Sequence, residues 1–143
     1  MTTRNPLARW ALFAASVIAA GNAVAQTSIS IPAADIKFAE TGVGRLQAAK
    51  GFGDLAQGAH GTFVKLPAGY ATPLHKHSHD YYGVVISGVV ANEPTAADKD
   101  RPMPAGSYWF QKGHAAHVTK CVSNTDCVTF ISQPGKFDFT ETR

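Results

Sequence analysis

The chain has 143 residues, 13 basic against 10 acidic side chains, a formal charge of +3 and 45% hydrophobic residues. That length is enough for one small domain. It carries no basic stripe of the kind that binds nucleic acid, and no unbroken run of the ~20 apolar residues that a membrane helix needs.

Read from the N-terminus, Arg4 and Arg9 form a positive region and Trp10 to Ala20 an uncharged apolar stretch. Ala23-Val24-Ala25 then supplies a small-x-small cleavage site. Gly21 and Asn22 interrupt the apolar stretch too early for a membrane span. Residues 1–25 are therefore expected to be a signal peptide. Residues 26–143 are expected to be a single domain, periplasmic or secreted, with no membrane attachment after cleavage. Loss of Arg4 and Arg9 leaves eleven basic residues against ten acidic ones, so the mature charge is about +1.

Strand signals then recur at short spacing. They cover Ser28–Ile31, Ile36–Phe38, Gly61–Leu66, Gly83–Val90, Ser107–Gln111, His117–Cys121, Cys127–Ser132 and Phe137–Phe139. Pro67-Ala68-Gly69, Asn92-Glu93-Pro94, Pro104-Ala105-Gly106 and Pro134-Gly135 punctuate them. Many short strands with turns between them predict an all-β sandwich or barrel. Helix signals are poor, and Arg45–Leu55 offers at most one turn. The polar loop Asn92–Met103 is expected to overhang one mouth of the barrel.

Five of the six histidines fall in two clusters beside these runs. His75, His77 and His79 alternate, so that a strand would put all three on one face. His114 and His117 return about forty residues later. Neutral imidazole is the commonest protein ligand for transition metals near pH 7. Two separated clusters on strands point to one metal site closed by the fold. The sixth histidine, His60, has no partner in the pattern and reads as structural.

Cys121 and Cys127 flank Val-Ser-Asn-Thr-Asp, a turn-forming sequence between two β-rich runs. In an oxidising compartment they are expected to form a disulfide across a hairpin. So short a loop gives it about 2 kcal/mol of stabilisation.

The spacing of the clustered residues resembles the two motifs of the cupin superfamily. The first, G-x5-H-x-H-x3-E-x6-G, matches Gly69, His75, His77 and Gly88, with Tyr81 in the glutamate slot. The second, G-x5-P-x-G-x2-H-x3-N, matches Gly106 and His117, with Lys112, His114 and Cys121 in the proline, glycine and asparagine slots. The resemblance covers roughly Gly61 to Phe139 and is to small secreted cupins of unknown function. It implies a cupin-type double-stranded β-helix, or jelly-roll, barrel. It also implies that His75, His77 and His117 hold one divalent transition metal ion (iron, manganese, zinc, nickel or copper). His79 shares their parity and is a further candidate ligand. Tyr81, Tyr82 and His114 are candidates for proton transfer or substrate orientation. Phe63, Trp109, Phe110 and Phe130 are candidates for the apolar wall.

A fold does not fix a function. The preferred expectation is a small metalloenzyme, dioxygenase-like or isomerase-like, on a small anionic or enolisable molecule. A non-catalytic metal-dependent binding or sensing module and a periplasmic metal scavenger are the alternatives. Cupins often pair through edge strands, which implies a homodimer as one assembly open to this chain.

Overall fold

Alternation of burial marks three strands of the larger sheet, Tyr81–Ser87, Tyr108–Gln111 and Cys127–Gln133. In Tyr81–Ser87, Tyr81, Gly83 and Val85 point inward and Tyr82, Val84 and Ile86 outward. Cys127–Gln133 alternates over its whole length. A computed structural model describes residues 27–142; the expected signal peptide, residues 1–25, lies outside the described residues. The chain from Ile31 onward forms one compact unit. Its strands are β1 (Ala39–Glu40), β2 (Gln47–Gly53), β3 (His60–Leu66), β4 (His75–Lys76), β5 (Tyr81–Ser87) and β6 (Val89–Glu93). They continue with β7 (Met103–Pro104), β8 (Tyr108–Gln111), β9 (Val118–Cys121), β10 (Cys127–Gln133) and β11 (Thr140–Glu141).

All pairings are antiparallel. The six-stranded sheet runs β1-β2-β3-β10-β5-β8, the three-stranded sheet β7-β6-β9, and β11 pairs with β4. The non-sequential order places β10 between β3 and β5, as an all-β jelly roll requires. Leu46, Leu66, Val85, Val90, Trp109 and Ile131 fill the core between the sheets.

Gly88 explains why the run Gly83–Val90 is two strands rather than one. Its φ is 76°, a conformation that favours glycine. A Cβ there would also meet Cys127 Cα at 3.0 Å. The chain turns a corner at this residue and passes from the large sheet to the small one.

The disulfide Cys121–Cys127 is present, with Cα atoms 5.7 Å apart. It does not close a paired hairpin. β9 pairs with β6, whereas β10 pairs with β3 and β5, so the bridge ties the two sheets together at their corner.

Five sequence expectations are corrected, beginning with the strands Ser28–Ile31 and Ile36–Phe38. Residues 27–32 carry no regular structure, a short 3-10 turn covers Ala33–Asp35, and the first pairing begins at Ala39. Ile29 and Ile31 are 67% and 55% exposed; β propensity without a packing partner does not make a strand. Arg45–Leu55 holds no helical turn but contains β2, because Ala49 is buried and the segment pairs with β3. Tertiary pairing overrides the local helical composition. Phe137–Phe139 is not a strand. The loop Asn92–Met103 does not overhang the cavity. Its first two residues end β6, Arg101 bonds buried Glu93, and Lys120 bonds Asp100.

Candidate metal centre

β4 is two residues long, yet it is fixed on both sides. His75 and His117 form an isolated antiparallel bridge. The His75 N–H donates to the His117 carbonyl at 3.0 Å, and the His117 N–H to the His75 carbonyl at 2.8 Å. Bridged partners present their side chains on one face, and the two rings lie 4.2 Å apart. His77 has the same parity as His75, and its ring lies 4.9 Å from His75 and 5.2 Å from His117. All three are buried, and one ligand nitrogen from each lies within 4.8 Å of the others.

The other ring nitrogen of each histidine is held by a backbone carbonyl. His75 Nδ1 donates to Pro73 O at 2.9 Å and His117 Nδ1 to Ala115 O at 3.2 Å. His77 Nδ1 donates to Asp138 O. A carbonyl only accepts, so Nδ1 carries the proton in all three rings and Nε2 offers its lone pair. Anchoring the second nitrogen fixes tautomer and ring orientation, as metal-binding histidines require.

Burial favours the neutral rings. It lowers His77 below the ordinary imidazole value and takes His75 down to about 4. His117 falls to about 3, through burial first and the adjoining His75 second. Three neutral nitrogen donors suit a divalent transition ion. They bring no negative charge, so a bound ion would keep its own charge for an oxygen ligand.

Tyr81 lies beside them. Its hydroxyl donates to His117 Nε2 at 3.2 Å, and burial pushes its phenol up to about 12. It therefore stays protonated at neutral pH.

The C-terminal segment completes the centre. β11 pairs with β4, placing Glu141 opposite His75 and Thr140 opposite Lys76. The Phe139 ring stacks on His75 at 4.1 Å, and Phe137 lies 5.2 Å from His77. The Asp138 carboxylate accepts the Ser78 N–H at 2.9 Å and the Ser78 hydroxyl. Burial would raise this carboxyl, but the bonds from Ser78 prevail and hold it below its usual value. None of Phe137, Asp138 and Phe139 was marked as part of the site by sequence; the Phe-x-Phe alternation, which puts two rings on one side, was the signal available.

These residues open on a cavity of about 350 Å³. Leu46, Val64, Leu66, Trp109, Ile131, Phe137 and Phe139 are the large apolar side chains that line it beside the histidines. Of the expected wall residues only Trp109 lines it. Phe63 and Phe130 pack on each other across the outer face of the sheet, and Phe110 is exposed there with Tyr82 and Tyr108. Their parity is opposite to that of Trp109 and Tyr81, which turns Tyr82 away from the cavity.

The remaining histidines separate. His79 is exposed, and its ring lies against Gly135, away from the three buried rings. The chain bends at Ser78 and His79, so the parity shared by His75 and His77 does not extend to His79. His114 is exposed at φ 63° and contributes its backbone N–H to the His77 carbonyl at 2.7 Å. His60, by contrast, lines the cavity.

A family model described as a domain of unknown function, DUF4437, matches residues 39–140. No curated protein matches the chain in sequence. Among solved structures, the polyketide cyclase RemF from Streptomyces resistomycificus is similar at 16% identity and a TM-score of 0.65, covering 82% of this chain and 87% of that one. An RmlC-like cupin from Ralstonia eutropha JMP134 is similar at 18% identity and a TM-score of 0.61, covering 79% and 72%. The DMSP lyase DddQ from Ruegeria pomeroyi DSS-3 is similar at 14% identity and a TM-score of 0.59, covering 76% and 62%. The fold shared with these proteins is the cupin fold.

Proposed function

The chain belongs to the DUF4437 family, built here on a cupin fold, and from that premise we propose that it is a small metalloenzyme acting on a small enolisable molecule. The carrying observation is the convergence of three buried imidazoles, each with Nδ1 pinned to a backbone carbonyl. His75, His77 and His117 would hold one divalent ion, which supplies Lewis acidity to an oxygen-bearing ligand. Tyr81 would place a hydroxyl beside that ligand and hold or pass a proton. The apolar part of the cavity wall would shield that side of the ligand from water. The chemistry in this reading is dioxygenase-like or isomerase-like, and the neighbours named as a polyketide cyclase and a DMSP lyase support a small organic substrate.

A second reading, a metal-dependent binding module, rests on Tyr81 standing where a carboxylate ligand is expected. A scavenger finds less support, because the three rings are buried and the exposed His79 and His114 lie apart from them. We also propose export to the periplasm or beyond, supported by the leader-like residues 1–25 and by the disulfide.

The test is elemental analysis of untagged protein, followed by oxygen-uptake and isomerisation screens with diketones and phenolic acids. About one iron, manganese or nickel per chain with turnover supports the enzyme. Metal without turnover on any substrate class favours the binding module. No metal after reconstitution refutes both.

A further inference from the structure

A row of polar side chains crosses the inner face of the large sheet at the level of the metal centre. His60 on β3 pairs with Gln133 on β10. One step beyond the Ser132–Tyr82 pair, Gln133 comes level with Tyr81 on β5. His60 and Gln133 are 1% and 2% exposed. Neighbouring strands lie about 4.8 Å apart, so two spacings separate His60 from Tyr81 by roughly 10 Å.

His60 is unfinished as a hydrogen-bonding group. Its Nδ1 meets Thr62 Oγ1 at 2.8 Å, but its buried Nε2 has no partner. Burial lowers its pKa, so the ring is neutral at pH 7. Buried polar atoms are seldom left unpaired, and each exception calls for a missing partner. Gln133 cannot be credited with that role: its Nε2 turns to Lys136 O at 2.9 Å, and its own Oε1 is also unpartnered. His60, Thr62 and Tyr81 all line the cavity.

The wall between these poles is apolar. The charged residue of the lining is Glu40, which is exposed; among the described residues no lysine or arginine faces the cavity. A carboxylate on the ligand would find no counter-ion away from the metal, and burying it unpaired is costly.

We infer that the cavity takes an uncharged, ring-sized apolar ligand that offers an oxygen pair at the metal end and, at its other end, a polar group that hydrogen-bonds His60 Nε2. This rests on the metal-centre reading and narrows its substrate class to neutral, enolisable compounds. His60 is a ligand-contacting residue, not a structural one.

The test is calorimetric titration of zinc-loaded protein with 1-phenyl-1,3-butanedione, its 4-hydroxyphenyl analogue and its 4-carboxyphenyl analogue. The hydroxyl should tighten binding about tenfold, the scale of one well-made hydrogen bond, and His60→Leu should abolish that advantage. The carboxylate should bind at least about tenfold more weakly than the hydroxyl compound, since its charge is desolvated without a partner. A hydroxyl advantage that persists in His60→Leu overturns the His60 assignment. So does a wild-type protein indifferent to the hydroxyl, as when a trapped water bridges His60 and Gln133. Tightest binding by the carboxylate overturns the neutral class. Should His60→Leu not fold, the ¹⁵N resonances of the His60 ring in wild-type protein should move with the hydroxylated probe and not with the plain one; equal movement refutes the contact. Zinc content and titrations of metal-free protein are read separately. Absence of zinc, or binding unchanged without it, sinks the metal reading while the His60 comparison stands.

Discussion

The Tyr81 hydroxyl donates to the nitrogen of His117 that a metal would use, across 3.2 Å. The same lone pair cannot serve both. Metal binding must release the hydroxyl, which then stands free beside the ion's remaining positions. Tyr81→Phe should therefore retain its metal, bind it as tightly as wild type or a few-fold more so, and lose turnover about 10²–10⁴-fold if the hydroxyl transfers a proton. Metal content and turnover measured on the same sample decide this. Loss of metal in Tyr81→Phe would make the phenol a ligand instead.

His117→Ala removes one of the three nitrogens and the ring that braces His75. Metal affinity should fall by more than the 10–100-fold that follows loss of a mere supporting partner, roughly the scale set by outer hydrogen bonds. Competition against a chelator gives the number. Unchanged metal content would place the ion elsewhere.

The His-x-His pair was legible because period-2 alternation and the flanking glycines are local features. His117 was legible through spacing, and the bridge to His75 supplies its physical reason. The aromatic wall was not legible. In Tyr108-Trp109-Phe110 every residue is apolar, so nothing in the run says which face is inner. On β3 the usual rule inverts: His60 and Thr62 face the cavity while Phe63 faces out. Nor could sequence place Asp138 and its neighbours, because His77 meets them across 61 residues. His79 departs from the pattern because the chain bends at Ser78 and His79, a turn that the alternating histidines do not announce.

Acid should destabilise the metal-free protein in a defined window. His75 and His117 sit at about 4 and about 3 in the fold, against about 6.5 in an unfolded chain. Below pH 6.5 the unfolded chain takes up protons that the buried rings refuse. Stability is thus greatest above that pH and declines as pH falls toward 4. Thermal midpoints between pH 8 and pH 4 measure it. In a triple His75→Gln, His77→Gln, His117→Gln variant the decline should be smaller; an equal decline assigns it to other groups.

Reduction of Cys121–Cys127 should expose two alkylatable thiols and lower stability by about 2 kcal/mol, the scale for a loop this short. Thiols labelled without reductant would contradict the bridge. Because the bridge joins two sheets, its loss should loosen the corner at Gly88 first, visible as faster amide exchange at Val89 and Val90.

The backbone bridge between His75 and His117 also decides when a metal can enter. These two residues lie about forty positions apart in the chain, and the carbonyl that sets His77 comes from a further segment, at Asp138. A nascent or threaded chain holds none of this arrangement. The site comes into being with closure of the barrel, so an ion would find its full ligand set only once folding is complete. Since imidazole sites rank the divalent ions in the same order everywhere, the place where the chain finishes folding, and the ions waiting there, would select any metal the site takes.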